Sequence, residues 1–131
     1  MKDKFIVIIA GGRDFFDFDL LVEKCDKILN SVKLSHEVII RSGGAKGADS
    51  LGETYADLRG YKIERFIPNW YPNGSYDVSA GHRRNREMAN GNNEYPIKAN
   101  GLIAFWDNKS KGTSGMIDYA KGKGLSVRVI N

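Results

Sequence analysis

Five short apolar segments recur along the chain, each with the length of a β-strand. They occupy residues 5–10, 37–40, 62–67, 101–106 and 125–130. The first is a continuous apolar run, which is typical of a strand buried on both faces of a parallel sheet. The third and fifth segments alternate between polar and apolar positions, which predicts that they lie nearer the edges of the sheet.

Between these segments, apolar residues recur at the spacing of α-helices. Two apolar stripes recur every three or four residues, namely Leu21, Cys25, Ile28 and Val32, and then Ala48, Leu51, Tyr55 and Leu58. Each stripe predicts one buried helix face, and Gly60 is the expected C-cap of the second helix. Shorter helices are predicted over residues 84–90 and 114–122, with a glycine stop at 122–124.

Alternation of strands and helices predicts an α/β fold with a doubly wound, mainly parallel sheet of about five strands and helices on both faces. We expect residues 1–131 to form a single domain, since no linker or repeat interrupts the pattern. Right-handed crossovers would bring the carboxyl ends of all strands to one edge, where ligands bind. The segment 68–81 is long enough for a lid or binding loop, and 91–98 is interpreted as a surface insertion.

Composition narrows the class of protein. The chain has 131 residues and one cysteine, which excludes an internal disulfide and a cysteine-based zinc site. His36 and His82 are far apart, so we predict no metal site and no firm cofactor. No apolar run approaches the roughly 20 residues of a membrane span, and the charged residues 1–5 do not resemble a secretory signal. We therefore expect a cytoplasmic protein without a membrane partner, and homo-oligomer formation is left open.

The net charge of +4 and the pI near 9.2 are compatible with a phosphate-bearing partner. Three arginines lie within five positions, Arg83, Arg84 and Arg86, and arginine suits bidentate phosphate contact. We expect these arginines and Lys46 to converge on one edge of the sheet. Such a focus favours a small phosphorylated ligand over a long polyanion.

Glycine-rich segments follow three of the predicted strands. Glycines let the backbone approach a ligand, and a helix start offers free N–H groups to an anion. The candidate ligand-binding residues are Gly11, Gly12 and Arg13 after the first strand, Ser42, Gly43, Gly44, Lys46 and Gly47 after the second, and Gly112, Thr113 and Ser114 after the fourth. Neither a P-loop nor a dinucleotide fingerprint can be matched on them.

We assign roles to these residues as hypotheses. The second segment would hold one phosphate and the third segment another, with Arg84 neutralising the charge and Asn85 orienting it. The first segment would approach the sugar or base. Trp70, in the long loop, either covers the ligand or packs the loop onto the core.

Two carboxylates accompany the glycines, and both are ambiguous. Asp49 follows the second segment near a helix start, so a structural role in binding the loop backbone is favoured, with ribose-hydroxyl binding as the alternative. Asp14 follows the first segment and is open to the same two interpretations. His82 is a candidate phosphate donor without a catalytic partner.

Five motifs in order resemble the SLOG superfamily and, within it, the YspA and cpYpsA-related group. These motifs are Gly-Gly-Arg-Asp-Phe at 11–15, Gly-Gly-Ala-Lys-Gly-Ala-Asp at 43–49, Pro-Asn-Trp at 68–70, Ala-Gly-His-Arg-Arg-Asn-Arg-Glu-Met at 80–88, and Leu-Ile-Ala-Phe…Gly-Thr within 102–113. The resemblance implies a Rossmann-like fold that binds a nucleotide or a nucleotide-derived ligand. Related SLOG proteins include phosphoribohydrolases of the LOG type and proteins of the DprA type that bind single-stranded DNA.

The chain departs from the LOG pattern at its catalytic glutamate, where alignment places Met116. The Pro-Gly-Gly stretch of that pattern is also absent, while its arginine corresponds to Arg84. The resemblance therefore favours a non-enzymatic binding module: a sensor, a carrier or a sequestering protein. The alternatives are a nucleotide N-glycosidase or phosphoribohydrolase, in which Arg84 would act with Asp14, Asp49 or Asp107, and a single-stranded nucleic-acid binder.

Overall fold

The structure, a computed structural model, describes residues 2–131 and contains one five-stranded sheet. The strands are β1 (Asp3–Gly11), β2 (His36–Ser42), β3 (Lys62–Arg65), β4 (Gly101–Phe105) and β5 (Ser126–Ile130). The helices are α1 (Phe18–Leu29), α2 (Val32–Ser35), α3 (Ala48–Arg59), α4 (Ala80–Asn90) and α5 (Lys111–Gly122).

All strand pairs are parallel, and their order across the sheet is β3-β2-β1-β4-β5. The predicted doubly wound α/β fold is confirmed, and β3 and β5 lie at the edges, as their alternating patterns predict. The continuous apolar strand β1 is central, with Ile8 paired to Arg41 on one side and to Leu102 on the other. From β1 the strand order runs outward to β3 on one side and then, from β4, outward to β5 on the other, so the order reverses between β1 and β4. A crevice is expected beyond the carboxyl ends of these two strands.

Two separate hydrophobic clusters cover the two faces of the sheet. One cluster joins the sheet to α4 and α5, and the other joins it to α1 and α3. Cys25 is fully buried in the second cluster, and burial raises the pKa of its thiol to about 12. A reactive thiol role is therefore inconsistent with its surroundings.

Several predicted boundaries differ from the structure. α4 begins at Ala80 rather than at residue 84, and β3 ends at Arg65. Leu58 is 57% exposed although it continues the second apolar stripe, because the buried face of α3 is centred on Ala48, Gly52 and Tyr55 and Leu58 lies at its margin. Gly60 caps α3 in the left-handed conformation, as the sequence predicts.

Within residues 2–131, no helix is both long enough and apolar enough to span a membrane.

Candidate functional site

The first turn of α5 forms one wall of a cavity at the carboxyl edge of the sheet. Ser110 is the N-cap, and its hydroxyl accepts a hydrogen bond from the Thr113 amide at 3.4 Å. The helix therefore begins at Lys111, not at the predicted residue 114, and Gly112 lies in its first turn. The amides of Lys111 and Gly112 donate no hydrogen bond within residues 2–131, so both remain available to an anion.

Helix α4 forms another wall and contributes Arg84. The Arg84 guanidinium donates from Nε to the Asn85 side chain at 2.9 Å and from Nη1 to the Gly43 carbonyl. Its Nη2 donates to no group in the described part of the chain, which leaves donors for a ligand. Burial lowers the pKa of this guanidinium from its ordinary value, while the nearby Asp49 carboxylate opposes that effect.

Arg83, Arg84 and Arg86 were predicted to converge with Lys46 on one edge of the sheet, but of these four residues only Arg84 lines the cavity. Arg83 pairs with Asp77, whose carboxylate also accepts from the Ser79 amide and hydroxyl at the start of α4. These contacts lower the pKa of Asp77 to about 2. Arg86 is exposed and does not line the cavity. Successive helical residues are rotated by about 100°, and of these three arginines only Arg84 lines this cavity.

Asp49 contributes the carboxylate of the cavity, with only 6% of the residue exposed. It accepts a hydrogen bond from the Ala45 amide at 3.2 Å, the loop-binding role that the sequence favours. Burial raises the pKa of Asp49 to about 6, against the lowering effects of the Ala45 hydrogen bond and of Arg84. Glycine at position 43 permits this arrangement, since a Cβ there would lie 2.8 Å from Asp49 Oδ2 and collide with Arg84.

The long connection between β3 and α4 covers residues 66–79 and brings Trp70 to the cavity. The Trp70 ring stacks on Tyr76, with centroids 5.9 Å apart and planes inclined by 10°. It also packs on Gly81, where an added Cβ would approach the ring to 3.4 Å. Trp70 is therefore both a packing residue of the loop and a lining residue of the cavity.

The glycine-rich segment after β2 is engaged mainly with the protein itself. The Gly44 amide donates to Ser42 Oγ, and the Ala48 amide donates to the Gly12 carbonyl at 3.2 Å. Gly47 has φ 78°, and a Cβ there would meet Arg13 backbone atoms at 2.6 Å. This segment therefore holds the loops after β1 and β2 together.

The walls enclose a cavity of about 360 Å³ beyond the carboxyl ends of β1 and β4. Of the fourteen residues predicted to bind or cover the ligand, seven line the cavity: Gly11, Arg13, Trp70, Arg84, Asn85, Gly112 and Thr113. His82, the candidate phosphate donor, lines it as well. Seven others lie outside its lining: Gly12, Ser42, Gly43, Gly44, Lys46, Gly47 and Ser114. The predicted phosphate site on the 43–47 segment stays a prediction, and of that segment only Ala45 lines the cavity.

Lys111 is a basic residue of the cavity that was not among the residues predicted from the sequence. Lys111 lines the cavity from the first position of α5. A signal was present, because serine is a preferred N-cap and Ser110 immediately precedes Lys111. The apolar lining residues Val78 and Met88 carry no comparable signal, since nothing in their local pattern distinguishes cavity from core.

Of the three carboxylates considered as substitutes for the missing glutamate, only Asp49 lines this cavity. Asp14 and Asp107 are exposed and line a neighbouring cavity instead. Met116, at the aligned position of that glutamate, does line the first cavity. An apolar thioether therefore lies where the LOG pattern has its carboxylate.

Within residues 2–131, no group of three or more histidine, cysteine, aspartate or glutamate side chains is arranged to hold a metal ion.

A parallel doubly wound sheet with a cationic cavity beyond its carboxyl edge is a Rossmann-like arrangement. The chain belongs to the YspA, cpYpsA-related SLOG family, whose profile matches residues 5–71, just over half of the chain. No curated protein sequence matches the chain. Among solved structures, DNA processing protein A (DprA) from Streptococcus pneumoniae is similar, with a TM-score of 0.69 and 18% identity. The match covers 98% of this chain and 50% of that protein, so the chain spans half its length. At this identity the likeness concerns the fold.

Proposed function

We propose that this protein binds a nucleotide or a nucleotide-derived phosphorylated ligand, as a sensor, carrier or sequestering module. The observation that carries the proposal is the meeting of Arg84, Arg13 and the first turn of α5 around one cavity. Three cationic side chains, counting Lys111, face a single carboxylate there, so the cavity attracts an anion. Membership of the SLOG family supports a function connected with nucleotides or nucleic acids.

The unbonded amides of Lys111 and Gly112 are the proposed phosphate donors, because the positive end of the α5 dipole lies at the same place. Arg84 adds charge-assisted hydrogen bonds from its unoccupied Nη2, and Asn85 orients the guanidinium through its hydrogen bond to Nε. Trp70 covers one side of the ligand. The segment 43–47 supports the site through its backbone, because the Gly43 carbonyl binds Arg84 and the Ala45 amide binds Asp49.

Calorimetric titration tests this proposal with a panel of mononucleotides, ADP-ribose, NAD and cyclic oligonucleotides. We expect at least one member to bind well below millimolar. The Arg84→Gln variant should bind it on the order of 10- to 100-fold more weakly, because a charge-assisted hydrogen bond is lost in a partly buried site. Arg86→Gln is the matched control, since Arg86 lies on the same helix, is exposed and does not line the cavity. It should change the affinity less than twofold.

Two outcomes would contradict the proposal. One is the absence of sub-millimolar binding across the whole panel. The other is equal weakening by the two arginine variants, which would indicate a general charge effect of α4 rather than binding in the cavity. Circular dichroism of both variants checks that the fold is retained.

A further inference from the structure

A second cavity of about 400 Å³ lies beside the first, beyond the ends of β1, β4 and β5. Its lining is predominantly apolar, and the side chains responsible are Phe15, Leu20, Phe105, Trp106 and Ile130. Phe15 and Phe105 pack against each other with centroids 4.9 Å apart. Such a lining suits a flat apolar or aromatic group better than a phosphate.

The charges of the second cavity disfavour a phosphate there. Its acidic side chains are Asp14 and Asp107, which outnumber its one cation, Arg13. One oxygen of the Asp107 carboxylate accepts from the amides of Lys109 and Ser110, both at 2.8 Å. The other oxygen accepts no hydrogen bond within residues 2–131 and is available to N–H groups of a base. The cavity is therefore less favourable to a phosphate than the first one, and it offers a hydrogen-bond acceptor to a ligand.

The two cavities adjoin, because Arg13 and Ser110 line both of them. One cavity is cationic with free backbone amides, and the other is aromatic with carboxylates. This division matches the two ends of a nucleotide, whose phosphate and base require these opposite environments. The shared Arg13 lies where the sugar would connect the two ends.

We propose that the second cavity is the base subsite of the ligand, so that the nucleotide lies across Arg13 with its phosphate beside Arg84 and its base between Phe15 and Trp106. This inference rests on the proposed function, and it specifies a ligand that needs an aromatic base as well as a phosphate. A sugar phosphate fills only the first cavity and leaves the apolar lining exposed to water.

Two glycines allow each cavity to be obstructed separately. Gly12 lines only the second cavity and Gly112 only the first, and a Cβ at either position would meet no atom within 4 Å. In Gly12→Leu and Gly112→Leu the new Cβ therefore has open space, and the rest of the leucine occupies part of the adjoining cavity. Gly115→Ala is the control, because Gly115 has the same open surroundings and lines neither cavity.

The experiment titrates AMP, adenosine and ribose 5-phosphate into the full chain and the three variants. We expect AMP to bind at least tenfold more tightly than ribose 5-phosphate. Gly12→Leu should lower the AMP affinity at least tenfold while changing ribose 5-phosphate less than twofold. Gly112→Leu should weaken both phosphorylated ligands, and Gly115→Ala should weaken neither.

Equal binding of AMP and ribose 5-phosphate would overturn the proposed base subsite without contradicting the proposed phosphate site. Gly12→Leu acting equally on both ligands would overturn it as well. Conversely, if adenosine binds as tightly as AMP and is sensitive to Gly12→Leu, the base subsite is supported and the phosphate site fails. No binding of any of the three ligands would overturn both proposals for this class of ligand.

Discussion

Arg84 is distinguished from its neighbouring arginines by its partners. Asn85 and the Gly43 carbonyl hold its guanidinium in place, whereas Arg83 is paired with Asp77 and Arg86 is exposed. An arginine fixed in advance loses less side-chain entropy when a phosphate binds, which increases its contribution to affinity. Position on the helix, not the presence of an arginine, therefore decides which residue serves the cavity.

The surroundings of Asp49 change its ionisation between pH 4 and 7. Its folded-state pKa of about 6 lies above the ordinary value of 3.8, so the native state binds this proton more tightly than the unfolded chain does. The protonated group contributes stability below about pH 4, and this contribution is lost as the pH rises through about 6. At neutral pH the charged carboxylate is therefore destabilising.

We predict that Asp49→Asn removes this pH dependence. The asparagine keeps an oxygen for the Ala45 amide but carries no charge to desolvate. The variant should be more stable than the original chain at pH 7 by roughly 1–3 kcal/mol, and the difference should disappear near pH 4. Urea unfolding at a series of pH values between 4 and 7.5 measures it.

Asp14→Asn is the matched control for this measurement, because Asp14 is exposed and makes no hydrogen bond through its side chain within residues 2–131. Its stability should follow that of the original chain across the range. A constant difference between Asp49→Asn and the original chain at every pH would contradict the assignment.

At the scale of elements, Arg41 connects β2 to the parts that carry the site. It is fully buried, donates from Nε to Glu64 of β3 at 2.9 Å and from Nη1 to the Met88 carbonyl at 2.7 Å. Further donors reach the carbonyls of Tyr95 and Ile97, so the segment interpreted as a surface insertion is anchored to a buried charge. Met88 lies in the last turn of α4, where a cation also complements the helix dipole.

Replacing Arg41 by Met should destabilise the fold by about 3–5 kcal/mol, because Glu64 becomes an uncompensated buried charge and buried carbonyls lose their donors. Arg65→Met is a close control. Arg65 makes an ion pair of the same 2.9 Å length with Glu53, but its side chain is 55% exposed. Its loss should cost less than about 1 kcal/mol. Chemical denaturation of both variants makes the comparison, and similar losses would contradict the role assigned to burial.

At the scale of the whole molecule, the sheet order brings both cavities to the place where the strand order reverses. Arg13, Arg84 and Lys111 gather around one of them although they are distant in sequence. A non-specific single-strand binder instead needs a continuous basic groove with successive stacking aromatics. Tyr71 and Tyr76 are exposed on the long loop, but they pack on each other, with centroids 5.7 Å apart.

We therefore predict weak, shallowly salt-dependent binding of single-stranded DNA. With two or three phosphate contacts, the slope of log K against log salt should be about −2 or shallower. Fluorescence anisotropy of a labelled oligonucleotide between 50 and 300 mM salt measures this slope. A slope of about −4 or steeper, unaffected by Arg84→Gln, would indicate a nucleic-acid interface outside the cavity.

Much of the architecture could be predicted from local patterns. The continuous apolar run of β1 predicts a strand buried on both faces, and the alternating runs of β3 and β5 predict strands near the edges of the sheet. These predictions succeed because burial on one or two faces determines which positions must be apolar. The boundaries of the helices were harder to predict from the sequence. The start of α5 depends on the capping hydroxyl of Ser110, and the start of α4 on the turn built by Asp77.

The sequence by itself therefore determined the parallel α/β sheet, the edge at which the candidate site lies, and the residue types available there. Only the tertiary structure decided which of them meet. It separated Arg84 from Arg83 and Arg86, turned the 43–47 segment toward the loop after β1, and placed Asp49 rather than Asp14 in the first cavity. The physical reason is that hydrophobic periodicity records burial, whereas the direction of a polar side chain depends on partners distant in sequence.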